Sequence, residues 1–220
     1  MRLRNKKWAR PWLVEHADLV IDQEHAVALQ GKWQTIFAAE QPIHVEIGTG
    51  KGQFIIGMAK KYPSINFIGM EIQDSAVAVA ARKAFDDETD LPNLKFIYGD
   101  GAGVETYFTT GEVSKIYLNF SDPWPKTRHE NRRLTYKSFL SGYQAVLPKG
   151  GELEFKTDNR GLFEYSLYSF AQYGVTFMPD GLSLNLHQDS EKMLDNVETE
   201  YEQKFSEQGF PIYKFTGSFD

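Results

Sequence analysis

Residues 119–133 read NFSDPWPKTRHENRR. A carboxylate, Asp122, stands beside an indole, Trp124, that is bracketed by Pro123 and Pro125, and Lys126, Arg128, His129, Arg132 and Arg133 follow directly. Each proline locks its own φ and turns the residue before it away from helix, so DPWP is expected to be a stiff, non-helical arm. An aromatic face next to a carboxylate suits a planar base with N–H donors, and cations behind it suit backbone phosphates. The plainer alternative is a solvated loop whose tryptophan caps the core.

A second stretch, HVEIGTGKGQF, carries glycines at 48, 50 and 52 between an apolar run and a helical one. Glycines there permit a tight turn and close approach of a ligand to backbone at a helix N-terminus. A phosphate-binding P-loop is excluded, because Val45 stands where its first glycine belongs and Gly52 where its hydroxyl belongs. Gln53 occupies the third small position of a dinucleotide fingerprint, which weakens that reading but leaves it open. A nucleoside-methionine ligand such as S-adenosylmethionine needs acids before the loop and after the next two strands, where Glu46, Glu71 and Asp100 stand. Carboxylates accept from ribose hydroxyls, an adenine amino group and an ammonium.

These residues need elements that deliver them to one edge. Apolar or β-branched runs at 43–47, 66–72, 94–98, 115–120 and 152–156 alternate with helical periodicity at 53–62, 75–85, 135–147 and 162–173. The alternation predicts an α/β fold with a mostly parallel sheet and helices on both faces, in which ligands sit beyond the carboxyl ends of the strands. Pro148-Lys149-Gly150-Gly151 stops the third of those helices. Strand candidates at 175–178, 182–186 and 212–219, with a helical TEYEQKFSEQG before the last, predict an antiparallel closure. Residues 1–30 are expected to form a basic arm able to move, and residues 31–220 a single domain.

The formal net charge is −6, which by itself argues against a polyanionic partner, yet MRLRNKKWAR carries five bases and no acid, and a second basic run follows Pro125. Local patches of this kind bind phosphates on an acidic body, because screened attraction acts over about 10 Å. The absence of cysteine removes disulfides, thiolate metal sites and cysteine nucleophiles, and fits a reducing compartment. No secretory leader and no apolar run of about 18 residues is seen, so a soluble, cytoplasmic protein is expected. His129-Glu130 lacks the second histidine of a HExxH site, and no metal is expected.

Together, VEIGTGKGQF, GMEI, YLNFSDPWPKTRHENRRLT, FKTDNRGLFEYS and TEYEQKF, which span most of residues 43–205, resemble the bacterial tRNA (guanine-N7)-methyltransferase family. The resemblance implies a Rossmann-type class I methyltransferase fold with a seven-stranded sheet and an antiparallel strand near the C-terminus. It implies S-adenosylmethionine as donor and a guanosine in the tRNA variable loop as substrate, with the chain a monomer or homodimer. Donor contacts are expected at Glu46, Gly48, Gly50, Glu71, Asp100, Asn119 and Asp122, with Asp122 also the catalytic residue. Substrate contacts fall on Lys126, Asp158, Thr199, Glu200, Tyr201 and Glu202, and RNA contacts on Arg128, His129, Arg132 and Arg133. The rivals are an amino-methyltransferase, whose loop more often reads Asp/Asn-Pro-Pro-aromatic, and an RNA-binding module without turnover.

Overall fold

The computed structural model describes residues 6–220. Five strands run parallel: β2 (Ile43–Ile47), β3 (Asn66–Glu71), β4 (Leu94–Tyr98), β5 (Lys115–Asn119) and β6 (Gly151–Thr157). β1 (Val20–Asp22) joins β4 in parallel, while β8 (Tyr213–Phe219) runs antiparallel to both β6 and β7 (Thr176–Phe177). The order is β1-β4-β3-β2-β5-β6-β8-β7, an eight-stranded sheet.

Alternation along the strands explains the two cores. On β2, Ile43, Val45 and Ile47 face a core that takes in α6 (Lys137–Val146) and α7 (Arg160–Tyr173). Phe67 and Phe96 face a second core with α1 (Ala9–Glu15), α3 (Gln53–Lys61) and α4 (Asp74–Phe85). Two short helices, α2 (Gln23–Ala28) and α5 (Val104–Tyr107), extend the first core. Strands with both faces covered must be apolar throughout, which is why β3 and β5 read as nearly continuous apolar runs.

The resemblance implies seven strands, whereas the sheet has eight; β1, which none of the expected runs includes, spans only three residues, too short to show a period of two. Of the stretch 1–30, residues 1–5 lie outside the described residues. The remainder packs on the domain: Ala9, Leu13, Val20 and Ile21 are buried, and Arg10 Nε donates to Asp74 at 2.9 Å. The expected strand at 182–186 does not form. Ser183 makes a single bridge to Lys214, beyond the Gly217 and Ser218 that β7 pairs with, and Leu182 and Leu184 are exposed, so their alternation buries no face. Among the described residues no helix is long and apolar enough to cross a membrane.

Between β7 and β8 the chain makes a long excursion through α8 (Ser190–Asp195) and α9 (Glu200–Glu207). It leaves the sheet edge and reaches α3, where Lys61 Nζ donates to the Leu194 carbonyl at 2.9 Å and Val197 packs against Gly57. This strap thus brings the segment 199–202 to the rim formed by the carboxyl ends of the parallel strands.

Candidate active site at the carboxyl rim

The chain leaves β2 toward β3 on one side, and β5 begins the other half of the sheet, so the crevice between β2 and β5 is the switch point where open α/β sheets bind ligands. Glu46 lies there, 2 % exposed. Its Oε1 accepts from Asn119 Nδ2 at 2.9 Å and its Oε2 from Thr49 Oγ1 at 2.5 Å. Burial pushes the Glu46 pKa up to about 7, against the pull of those two hydrogen bonds.

The glycine loop folds around the end of β3. Gly48 and Thr49 N–H groups both donate to the Met70 carbonyl at 2.9 Å, and Gly50 N–H donates to Glu71 Oε2 at 3.0 Å. Gln73 N–H donates to Glu71 Oε1 at 2.9 Å, and burial raises the Glu71 pKa. Gly48 and Gly50 have φ of +81° and +57°, and a side chain at Gly50 would meet nothing within 4 Å. The two glycines therefore supply conformation and room, while their N–H groups serve the loop itself. Gly52 packs so closely on Ala80 that a Cβ would not fit. Asp100, exposed at the next strand end, accepts from Ala102 N–H at 2.9 Å and caps the turn there.

Asn119 Oδ1 and Ser121 Oγ are buried and have no hydrogen-bond partner among the described residues. Such orphaned polar atoms are uncommon, and two of them two positions apart at a switch point fit a polar ligand. Phe120 and Trp124 have φ of +51° and +40°, a left-handed conformation costing roughly 1–2 kcal/mol for a bulky L residue. Arg133 holds this arm: Nε donates to the Pro123 carbonyl and Nη2 to the Trp124 carbonyl, both at 3.0 Å, with the guanidinium 4.0 Å over Tyr165. Asp122 stands exposed between the two strained residues.

Of the cations expected to face RNA, Lys126 and Arg128 are exposed, and the exposed Arg132 lies 4.9 Å over the Trp124 ring. His129 meets Trp124 edge-on at 5.9 Å and accepts from Arg128 Nε at 3.3 Å. Arg133 is turned inward as the staple just described, with Nε and Nη2 donating to backbone carbonyls.

The second group of expected contacts arrives from two directions. Asp158, half-buried, follows β6 onto the rim, and burial raises its pKa. Thr199 caps α9 by accepting from Glu202 N–H at 2.9 Å. Although burial pulls the other way, Lys51 at 2.8 Å and Lys83 at 2.5 Å hold the Glu200 pKa below the usual carboxylate range. Tyr201 lies parallel to Phe120 at 6.4 Å. Glu202, in contrast, has no exposed surface and pairs with the equally buried Lys156 at 2.7 Å, so its carboxylate faces protein and not the rim.

Sequence reasoning missed Thr49, Lys51, Lys156 and the inward turn of Arg133. The only signal for Lys156 is its place in the alternation Glu152, Glu154, Lys156 along β6, which marks a charged face without saying what covers it.

The raised pKa of Glu46 makes a stability prediction. Its folded pKa lies above the unfolded one, so between pH 4.5 and about 7 the native state keeps a proton that the unfolded state has shed. Stability is then lost as pH rises through that window. Glu46→Gln removes the cost and keeps both hydrogen bonds by pairing Oε1 with Asn119 and Nε2 with Thr49. The variant is expected to be more stable than the parent by on the order of 2 kcal/mol at pH 8, with the gain gone at pH 4. Denaturant titrations at the two pH values measure this, and an equal or lower stability at pH 8 contradicts it.

Comparison with known proteins bears on the family and the fold. A family model described as a putative methyltransferase matches residues 40–215. The chain is 64 % identical over 219 residues to the tRNA (guanine-N(7)-)-methyltransferase of Leuconostoc mesenteroides, and 58 % identical over 219 residues to that of Pediococcus pentosaceus, with all of each chain covered. Among solved structures, the 16S rRNA methyltransferase KamB superposes with a TM-score of 0.61 at 14 % identity, covering 86 % of this chain and 93 % of that one, a likeness of fold. On its full-length similarity to those enzymes, the chain belongs to the tRNA (guanine-N7)-methyltransferase family.

Proposed function

We propose that this protein transfers a methyl group from S-adenosylmethionine to N7 of a guanosine in the variable loop of tRNA. The observation that carries the reading is the placement of the Glu46–Asn119 pair and the Asp122-Pro123-Trp124 arm at one switch point, with Asn119 three positions before Asp122. With tRNA as substrate, its place of action is the cytoplasm.

The residues present fit the donor. Glu71 retains acceptor capacity beyond its two backbone bonds for ribose hydroxyls, since a carboxylate offers about four lone-pair sites. Asn119 Oδ1 is an acceptor in want of a donor, which an ammonium provides, and Gly48 and Gly50 leave room for both. Asp100 extends the set at the far end. When bound, the sulfonium supplies an electrophilic methyl carbon.

Guanine N7 carries an in-plane lone pair and no proton, so its methylation would need no base from the protein; the N7–C bond would form as the donor's S–C bond broke, with the pair left on sulfur. Asp122 therefore acts by its charge, favouring the cation that grows on the purine ring. Trp124 gives the base a stacking surface, and the Arg133 staple keeps that surface still. Lys126, Arg128 and Arg132 offer charge to phosphates. Asp158, rather than the enclosed Glu202, accepts from guanine N1–H and the 2-amino group, which selects guanine over adenine.

Incubation with labelled donor and unmodified tRNA, followed by nucleoside analysis, tests the assignment. Label in 7-methylguanosine is expected; label in N6-methyladenosine, or none, overturns it. In the same assay Asp158→Asn is expected to lower methylation about tenfold or more while donor affinity changes little. Equal loss of both would remove Asp158 from the substrate side.

A further inference from the structure

Lys156 sits at the end of β6 with no exposed surface, although an ammonium is costly to bury. All three of its donors are used: Nζ reaches Glu202 Oε2 at 2.7 Å, Asn196 Oδ1 at 3.0 Å and the Val197 carbonyl at 3.0 Å. Glu202 is equally complete, its Oε1 accepting from Asn196 Nδ2 at 2.6 Å and facing His187 Nε2 at 3.2 Å. A buried pair of this kind adds little net stability over an apolar pair, and its best-attested use is to specify one arrangement of the chain. Here it ties the strap and α9 to the central sheet.

The consequence lies one contact further on. The backbone carbonyl of Lys156 accepts from Phe120 N–H at 2.9 Å, and the ring of Tyr201, one residue before Glu202, lies parallel to the Phe120 ring at 6.4 Å. Lys156 thus grips Phe120 twice, directly by its backbone and through the strap by its side chain. Phe120 is the left-handed residue from which the Asp122-Pro123-Trp124 arm departs. A strained residue persists only where its surroundings over-determine it.

We infer that the Lys156–Glu202 pair is a latch that sets the direction of the Trp124 arm, with Lys156 a positioning residue that touches neither the methyl donor nor the RNA. The inference rests on the function proposed above and adds a residue to it: the strap acts on methyl transfer by holding Phe120 in place, and the Glu202 carboxylate acts through Lys156.

Lys156→Met alone strands the Glu202 charge in the interior, which is strongly destabilising, so the informative variant is Lys156→Met with Glu202→Met. It removes the buried charges together but leaves Asn196 Oδ1 and the Val197 carbonyl without their donor. The latch predicts a folded protein whose donor Kd and tRNA KM stay within about threefold of the parent while kcat falls about a hundredfold, the cost of a misplacement near 1 Å. It also predicts faster hydrogen exchange in the peptide covering residues 119–125 as well as in that covering 196–202. Asn196→Ala, which keeps the ion pair, is expected to shift kcat and both peptides in the same direction by a smaller factor. A retained kcat in either folded variant, or loosening confined to 196–202, overturns the inference. Formation of 7-methylguanosine by the parent protein, measured alongside, separates failure of the latch from failure of the functional reading.

Discussion

The hydrogen bond from Asn119 to Glu46 joins the two strands that part company at the switch point, and the rest of the site hangs from it. On its β2 side it holds a carboxylate under the glycine loop; on its β5 side it holds the last regular residue before the chain turns into the Trp124 arm. A parallel sheet opens a crevice where its strand order reverses, and a buried polar pair is what keeps that crevice defined instead of collapsed. The cost shows in Glu46, whose carboxyl is driven up to about 7 by burial. A site that holds a carboxylate out of water for a ligand's use is less stable for it.

Around that pair, rigidity is built from backbone. The glycine loop closes on Met70 and Glu71 through its own N–H groups, and the arm at Asp122 is pinned by Arg133 reaching two consecutive carbonyls. Two left-handed bulky residues within five positions represent strain that a mobile loop would release, and each has a neighbour that prevents release: Lys156 for Phe120 and Arg133 for Trp124. Such preorganisation suits a reaction with no proton to move, where rate depends on holding a lone pair, a carbon and a leaving group in line.

The five parallel strands and the placement of Glu46, Glu71 and Asp122 were legible because they follow from alternation and from the rule that strand ends share one rim. β1 was not legible, since three residues carry no period, and 182–186 misled because its apolar alternation is real but faces solvent at two of three leucines. Residue type also cannot say which way a charge points. Arg133 and Arg132 are adjacent and look alike, yet one braces the arm from within and the other lies on Trp124 from outside. Glu200 and Glu202 belong to one segment, but the helical turn between them sends the first to Lys51 and Lys83 and the second into the core. The strap that decides this lies far along the chain from both β5 and β6.

The central claim is that the donor and the purine meet at the β2–β5 crevice. A crystal structure with S-adenosylhomocysteine and a variable-loop RNA measures it directly. The account predicts the guanine against Trp124, with N7 about 5 Å from the donor sulfur, as expected when a methyl group bridges reacting atoms roughly 3 Å apart. A guanine bound elsewhere, for instance in the 890 Å³ cleft between α3 and α4 beside Trp8 and Arg82, would contradict it.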